Sequence, residues 1–382
     1  MRYSSSKLLL VLMSGLLIIT VMTACSNQDS SPKDKVQELD YKSRSQEISK
    51  EVEGYFNNQD LDIDFDIAQQ AEKKQEVDGK RIIWNLYSQQ VALPFPATPQ
   101  VEVSKLIKGL KEELDEEDLR VSIKKQNLVK ENWELLLEVS FEPEELEEES
   151  LVAYRLQLTQ PRIKAKMAFL IDDLGFNRQG TEETMSINRQ ISVAVLPFRP
   201  YSTQDAKLAK QAGHEVLLHL PMEPISKTNP GQGAIYTDMS ANEIRRQIKN
   251  DIADLGVRIA GVNNHMGSKA TGDRRVMEVV LNYLNERGLF FVDSSTAPQS
   301  AVPVAAQKLS EPYGMNYLFI DNIDKKESVK KQINKIAKVA LRKGNLITIG
   351  HVRTNTALAI KEMIPKLEAM GIQLVYVSEL IE

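Results

Sequence analysis

From Lys164 to the end of the chain, short apolar runs alternate with helical segments, and that regularity limits the accessible folds more than any other feature. Strand-like runs are expected at 166–171, 191–196, 215–220, 257–263, 289–293, 316–320, 346–350 and 373–377. Between them lie segments with helical apolar spacing, such as 242–255, 274–286, 328–342 and 357–370. Gly213, Gly256, Gly288, Gly344 and Gly371 each fall between a helical segment and the next run, where a helix end favours positive φ. Sustained alternation of this kind predicts a parallel (β/α) barrel of seven or eight strands, complete or distorted. A doubly wound open sheet is the alternative. No glycine-rich phosphate loop follows the first run, so no nucleotide is expected.

The ends of the runs carry the chemistry. Met167–Ile171 gives way to Asp172-Asp173-Leu174-Gly175, and Val216–Leu218 runs into His219. Ile259–Val262 runs into Asn263-Asn264-His265, Leu289–Val292 into Asp293-Ser294-Ser295, and Leu346–Gly350 into His351. All four histidines of the chain lie in this half, and His214 is the only one away from such a junction. The carboxyl ends of parallel strands converge on one face of a β/α repeat, the face that holds its active site. A single polar residue there is equally a helix cap or a loop hydrogen bond. Several together point to a shared site.

The first 163 residues have a different rhythm. Arg2 and Lys7 precede an apolar run from Leu8 to Met22, then Thr23-Ala24-Cys25, the pattern of a secretory signal over residues 1–25. Cys25 is the only cysteine and sits at the expected cut, an arrangement that resembles a bacterial lipoprotein signal. It implies lipidation at Cys25, a membrane anchor, and work on the extracellular or periplasmic side. An ordinary secretory signal with an incidental cysteine is the other reading. No intrachain disulfide can form. Residues 26–45 read as a flexible tether. Residues 46–161 read as a small α+β module: Ile48, Val52, Tyr55 and Phe56 mark one helix, and Val103, Leu106, Ile107, Leu110 and Leu114 another. Strands are expected at 81–91, 119–123, 133–141 and 151–158, with the acidic stretch 142–149 as a solvated turn. This module has no catalytic constellation, so a spacer or interaction role is its default. The net charge of −5 and the lack of a basic stripe argue against nucleic acid.

Three stretches together resemble the divergent polysaccharide deacetylases, relatives of the metal-dependent carbohydrate esterases that remove N-acetyl groups. They are Phe169-Leu170-Ile171-Asp172-Asp173-Leu174-Gly175, the run from Gly213 to Pro224 around His219-Leu220-Pro221-Met222-Glu223, and Val262-Asn263-Asn264-His265-Met266-Gly267-Ser268. The resemblance covers residues 164–382 and not the N-terminal module.

The resemblance implies that Asp172 is a general base, Asp173 a metal ligand and His351 a general acid. The esterases complete their metal site with two histidines four residues apart; here the first matches His219, and the later position is Glu223. Their arginine-bearing motif is missing, with His265 near its place. The implied ligands of a divalent metal, zinc by donor type, are therefore Asp173, His219 and His265, with Glu223 as a substitute ligand or an ion-pair partner on its loop. Asp293 is expected to bind the metal, orient a histidine, or cap a helix. Asn263, Asn264 and Ser294 are expected to hydrogen-bond the sugar or the acetyl oxygen. Arg199 and Arg353, just past strand ends, either stand in for the missing arginine by holding Asp172 ionised or are surface residues, and His214 is structural. The implied activity is removal of N-acetyl or O-acetyl groups from extracellular or cell-wall polysaccharide. The alternative is a catalytically silent wall-binding or regulatory lipoprotein that keeps the barrel.

Overall fold

The computed structural model describes residues 36–381, leaving aside 60, 62, 63, 66, 67, 98–100, 147 and 148. The signal and the lipidation residue Cys25 lie outside the described residues, as does most of the expected tether. The N-terminal part contains β1 (Gln37–Asp40), α1 (Lys42–Asn57), β2 (Asp64–Phe65), β3 (Gln69–Val77), β4 (Lys80–Ala92), α2 (Val103–Glu113), β5 (Leu119–Val129), β6 (Asn132–Phe141) and β7 (Leu151–Pro161). The sheet order is β1-β4-β7-β6-β5, with β3 forming a hairpin on β4. Ile48 and Val52 of α1 and Leu106 and Leu110 of α2 share one core with Leu137, Phe141, Tyr154 and Leu156 of the sheet. Residues 37–45 correct the expected tether. Gln37–Asp40 pairs in parallel with Lys80–Ile83, and the helix starts at Lys42. A four-residue strand with Leu39 as its one apolar residue has no period to detect, and only its distant partner makes it a strand.

The second part contains β8 (Ala165–Leu174), α3 (Thr181–Met185), β9 (Ser192–Val195), α4 (Ser202–Gln211), β10 (Glu215–Met222), α5 (Ala241–Leu255), β11 (Gly261–Met266), α6 (Arg274–Asn285), β12 (Phe290–Asp293), α7 (Val302–Leu309), β13 (Tyr313–Phe319), α8 (Lys326–Lys343), β14 (Asn345–His351), α9 (Thr354–Ala369) and β15 (Ile372–Leu374). Strands β8 to β14 pair in sequence, all parallel, and β14 returns to β8 with His351 opposite Asp172. The barrel is therefore closed with seven strands, and the open-sheet alternative is excluded. β15 pairs with the first residues of β8, where Lys166 has Asn345 on one side and Gln373 on the other. β9 takes over that side from Leu170 onward. The short eighth strand thus fills the gap below β9. All five glycines singled out at helix ends have positive φ, from 63° to 87°.

Strand parity sorts the core. Ala168, Leu170, Ala194, Leu217, Val292, Ile347 and Ile349 form one buried cluster inside the barrel, and alternate residues such as Phe169, Val216, Val262 and Phe291 pack against the helices. Continuing the inner parity one step toward the carboxyl end leads from Leu170 to Asp172, from Leu217 to His219, from Val292 to Ser294 and from Ile349 to His351. The polar layer is therefore the lid of an apolar barrel interior.

Candidate active site

Two adjacent strand residues normally point to opposite faces, so Asp172 and Asp173 need an irregularity to serve one mouth. The register of β8 against β9 supplies it: Ile171 pairs with Val193 and Leu174 with Val195, so two aspartates oppose the single Ala194. This is a β-bulge. Asp173 sits at φ 68°, and the chain turns there so that its carboxylate joins that of Asp172. Gly175, at φ 93°, passes so close to Ser202 and the Leu196 carbonyl that a Cβ would sit 3.1 Å from the Ser202 Cα. Its N–H donates to Asp205 Oδ2 at 2.9 Å, fixing the turn from below.

Three donor atoms converge above the bulge. Asp173 Oδ1 lies 3.2 Å from His219 Nε2 and 3.1 Å from His265 Nδ1, and the two nitrogens are 3.0 Å apart. These separations are close to the roughly 3.3 Å between ligands of a tetrahedral zinc with bonds of about 2.0–2.1 Å. Asp173 Oδ1 is shut off from solvent yet receives no well-aligned hydrogen bond, despite the two nearby nitrogens. Charge favours a cation as well. Burial works against a charged His219, but Asp172 and Asp173 outweigh it and push its pKa up to about 9. Burial raises Asp173 too, and the two histidines overcome it, holding the carboxyl well below the usual range. The set fits a divalent metal.

Beneath this set lies a buried polar network. Asn263 Nδ2 donates to Asp172 Oδ1 at 2.8 Å. A carboxylate facing that nitrogen fixes the amide, so Oδ1 of Asn263 faces His219 Nδ1 at 2.9 Å and accepts its proton. His219 is thereby held with Nε2 aimed at the cluster. Ser294 Oγ accepts from Asn263 Nδ2 and donates to the Asn264 carbonyl, while Asn264 Oδ1 accepts from the Ser294 N–H. Asn264 Nδ2 donates to the Met266 carbonyl and to Thr296. Asn263, Asn264 and Ser294 are 0–1% exposed, so the expected substrate contacts are corrected: these side chains brace the site from behind.

His351 occupies the facing wall. Its Nδ1 lies 2.9 Å from Asp321 Oδ1, its N–H donates to Asp321 Oδ2 at 2.7 Å, and its ring stacks on Phe319. Thr356 Oγ1 also donates to Asp321 Oδ2, at 2.7 Å. Burial lowers His351, and the Asp321 carboxylate more than reverses this, so the imidazole is biased toward the protonated form with Nε2 free. Sequence reasoning missed Asp321. Its signal was the familiar one, an apolar strand end, Leu318-Phe319-Ile320, running into an acid. Asp172 is pushed up to about 6, first by burial and then by Asp173, against the pull of His219 and His351.

The remaining candidates lie elsewhere. Glu223 is corrected as a ligand: its oxygens accept from Lys269 Nζ, Thr237 N and Thr237 Oγ1 at 2.7–2.8 Å, and the two histidines and Asp173 cluster without it. Asp293 has the outward parity of β12; its Oδ1 accepts from the Ser295 N–H, which corrects its expected role beside the histidines. Arg353 donates to the Asp321 carbonyl, and Arg199 lies over the Phe176 ring, so neither holds Asp172. His214 is buried at the opposite end of β10, with Nε2 beside the Thr184 carbonyl. A cavity of about 430 Å³ opens over Asp173, His265 and His351, rimmed by Phe176, Arg199 and Arg353.

The comparisons with known proteins concern this barrel. Residues 169–381 match the family model described as divergent polysaccharide deacetylase. Over 209 residues the chain is 34% identical to the uncharacterized protein YibQ of Escherichia coli (strain K12), a match covering 55% of this chain and 65% of YibQ. It is 32% identical over 205 residues to an uncharacterized protein of Haemophilus influenzae, covering 52% of this chain and 70% of that one. The crystal structure of the uncharacterized protein ATU2773 from Agrobacterium tumefaciens C58 superposes with a TM-score of 0.53 at 23% identity, covering 57% of this chain and 89% of that chain. That last likeness is one of fold. The family match takes in more than half of the chain and contains every residue of the cluster: the chain belongs to the divergent polysaccharide deacetylase family.

Proposed function

We propose that the barrel is a metal-dependent hydrolase that removes acetyl groups from the amino sugars of an extracellular or cell-wall polysaccharide. The observation that carries this reading is the convergence of Asp173, His219 and His265, with Asp173, His265 and His351 lining one cavity and Asp172 and His219 buried directly behind it. Asp173, His219 and His265 would hold the metal, and zinc suits one carboxylate with two imidazoles. When bound, the ion supplies Lewis-acid polarisation of the acyl oxygen and of the hydrolytic water. Asp172 takes the proton that the water loses as its oxygen bonds to the acyl carbon. Burial raises its carboxyl above the usual carboxylate range, toward that of a useful base. Protonated His351 gives its Nε2 proton to the amine nitrogen as the carbon–nitrogen bond breaks, and acetate and a free amine leave. Asn263 keeps Asp172 and His219 in register, and Asp321 does the same for His351.

Location outside the cytoplasm, through the signal over residues 1–25 and a lipid on Cys25, is part of the proposal. The test is acetate release from N-acetylated oligosaccharides by the zinc-loaded protein, with and without a chelator. Release that the chelator stops supports the reading. Metal-loaded protein that binds glycan and releases no acetate replaces it with the silent wall-binding role.

A further inference from the structure

The guanidinium groups near the mouth differ in one respect. Arg178 is paired with Asp205 at 3.1 Å, and Arg353 donates to the Asp321 carbonyl at 2.9 Å. Arg199 has no side-chain hydrogen bond or ion pair among the described residues, although its Nε is shut off from solvent. It lies 5.2 Å above the Phe176 ring, and a side chain at Gly231, which has φ 107°, would collide with its Nη2. The guanidinium is thus confined between an aromatic face and a backbone turn, at the rim of the cavity that also holds Asp173 and His265. The rim's carboxylates are engaged elsewhere: Asp173 with the two histidines and Asp324 with Asn355. A partly desolvated cation with no counter-charge is unfavourable until an anion arrives. A planar fork suits a carboxylate, which it meets with two parallel bonds. Phe176, 53% exposed beside it, offers an apolar surface to the face of a sugar ring.

Resting on the hydrolase reading above, we propose that Arg199, braced on Phe176, binds a carboxylate on the acetylated sugar or its neighbour, so that the preferred substrate is an acidic glycan. The carboxylate has two chemical sources, a uronic acid or an ether-linked lactyl group, and separate probes distinguish them. The experiment uses the full-length, zinc-loaded protein with three N-acetylated oligosaccharides: neutral chitotetraose, a uronate-containing hyaluronan tetrasaccharide and a lactyl-bearing muropeptide-free glycan tetramer. Acetate release gives kcat/KM, and calorimetric titration gives binding without turnover. At least one acidic probe is expected to exceed the neutral one by about tenfold, mostly in KM, as one charge-assisted contact implies. Arg199→Ala removes that ratio, and Arg199→Lys, which keeps the charge and the fold, restores part of it. A ratio near one in the native protein, a ratio that survives Arg199→Ala, or binding to none of the probes overturns the proposal. Arg199-dependent binding of an acidic probe without acetate release keeps this site and sinks the hydrolase reading. Acetate release without acid preference does the reverse.

Discussion

Replacing Asp321 by asparagine isolates what the pair with His351 contributes. Asp321 is wholly buried, and its two oxygens accept from the His351 N–H and Thr356 Oγ1 and meet His351 Nδ1. Asparagine has one oxygen, enough for the first two donors, and turns its NH2 toward Nδ1. The charge-assisted bond to the imidazole is then lost, worth about 1.5–3 kcal/mol. Its loss affects both stability and rate. His351 has a raised pKa in the fold, so its stabilisation is fully present below the unfolded value of about 6.5 and fades as pH rises through the folded value. Asp321 has a depressed pKa, so its share is present above about 3.9 and lost as pH falls through the folded value. The variant is therefore expected to lose about 2 kcal/mol in urea unfolding between about pH 4 and 6.5, and less in alkaline buffer. Acetate release at the optimum is expected to fall by about 10²-fold or more, the usual contribution of a positioned acid. The acid must be protonated, so the alkaline limb of the pH profile moves to lower pH. An unchanged rate, or a slower enzyme whose alkaline limb stays in place, would refute the assignment of His351 as the acid.

Three further outcomes follow from the geometry. Asp172→Asn is expected to abolish acetate release while one metal per chain is retained, measured by atomic emission; full activity would remove Asp172 as base. Asn263→Leu keeps the volume but leaves Asp172 and His219 Nδ1 without their shared partner. It is expected to cost about 1–3 kcal/mol in unfolding and to slow acetate release at unchanged metal stoichiometry. Glu223→Gln is expected to keep both metal and turnover, because Glu223 serves Lys269 and Thr237; loss of metal would return it to the ligand set.

The barrel was legible because its signals repeat: apolar runs, helical spacing and a glycine after five of its helices recur until closure is the economical solution. The site was legible in part for the same reason. Asp172, His219 and His351 end inner-parity runs, and parity follows from the run itself. What the sequence hid depends on side-chain direction beyond the strand end. Glu223 lies four residues after His219, as a second ligand would, but the chain leaves β10 at Met222 and pairs with the loop around Ile235 and Thr237. His265 takes the place from the neighbouring strand. Asn263, Asn264 and Ser294 looked like substrate contacts because polar strand ends usually face solvent, whereas here they satisfy one another beneath the cluster. In the N-terminal module, β3 was not read as a strand because Gln69–Glu76 is polar but for Ala71 and exposed on both faces; only its hairpin with β4 defines it.

The account turns on the three atoms that meet above the β8 bulge. The most direct measurement is the metal content of the purified protein after zinc loading, beside His219→Ala and His265→Ala prepared in the same way. The predicted result is about one zinc per chain in the native protein, lost or strongly reduced in both variants while circular dichroism shows the fold intact. Native protein that stays free of metal, or variants that retain the full equivalent, would contradict the site and the hydrolysis built on it.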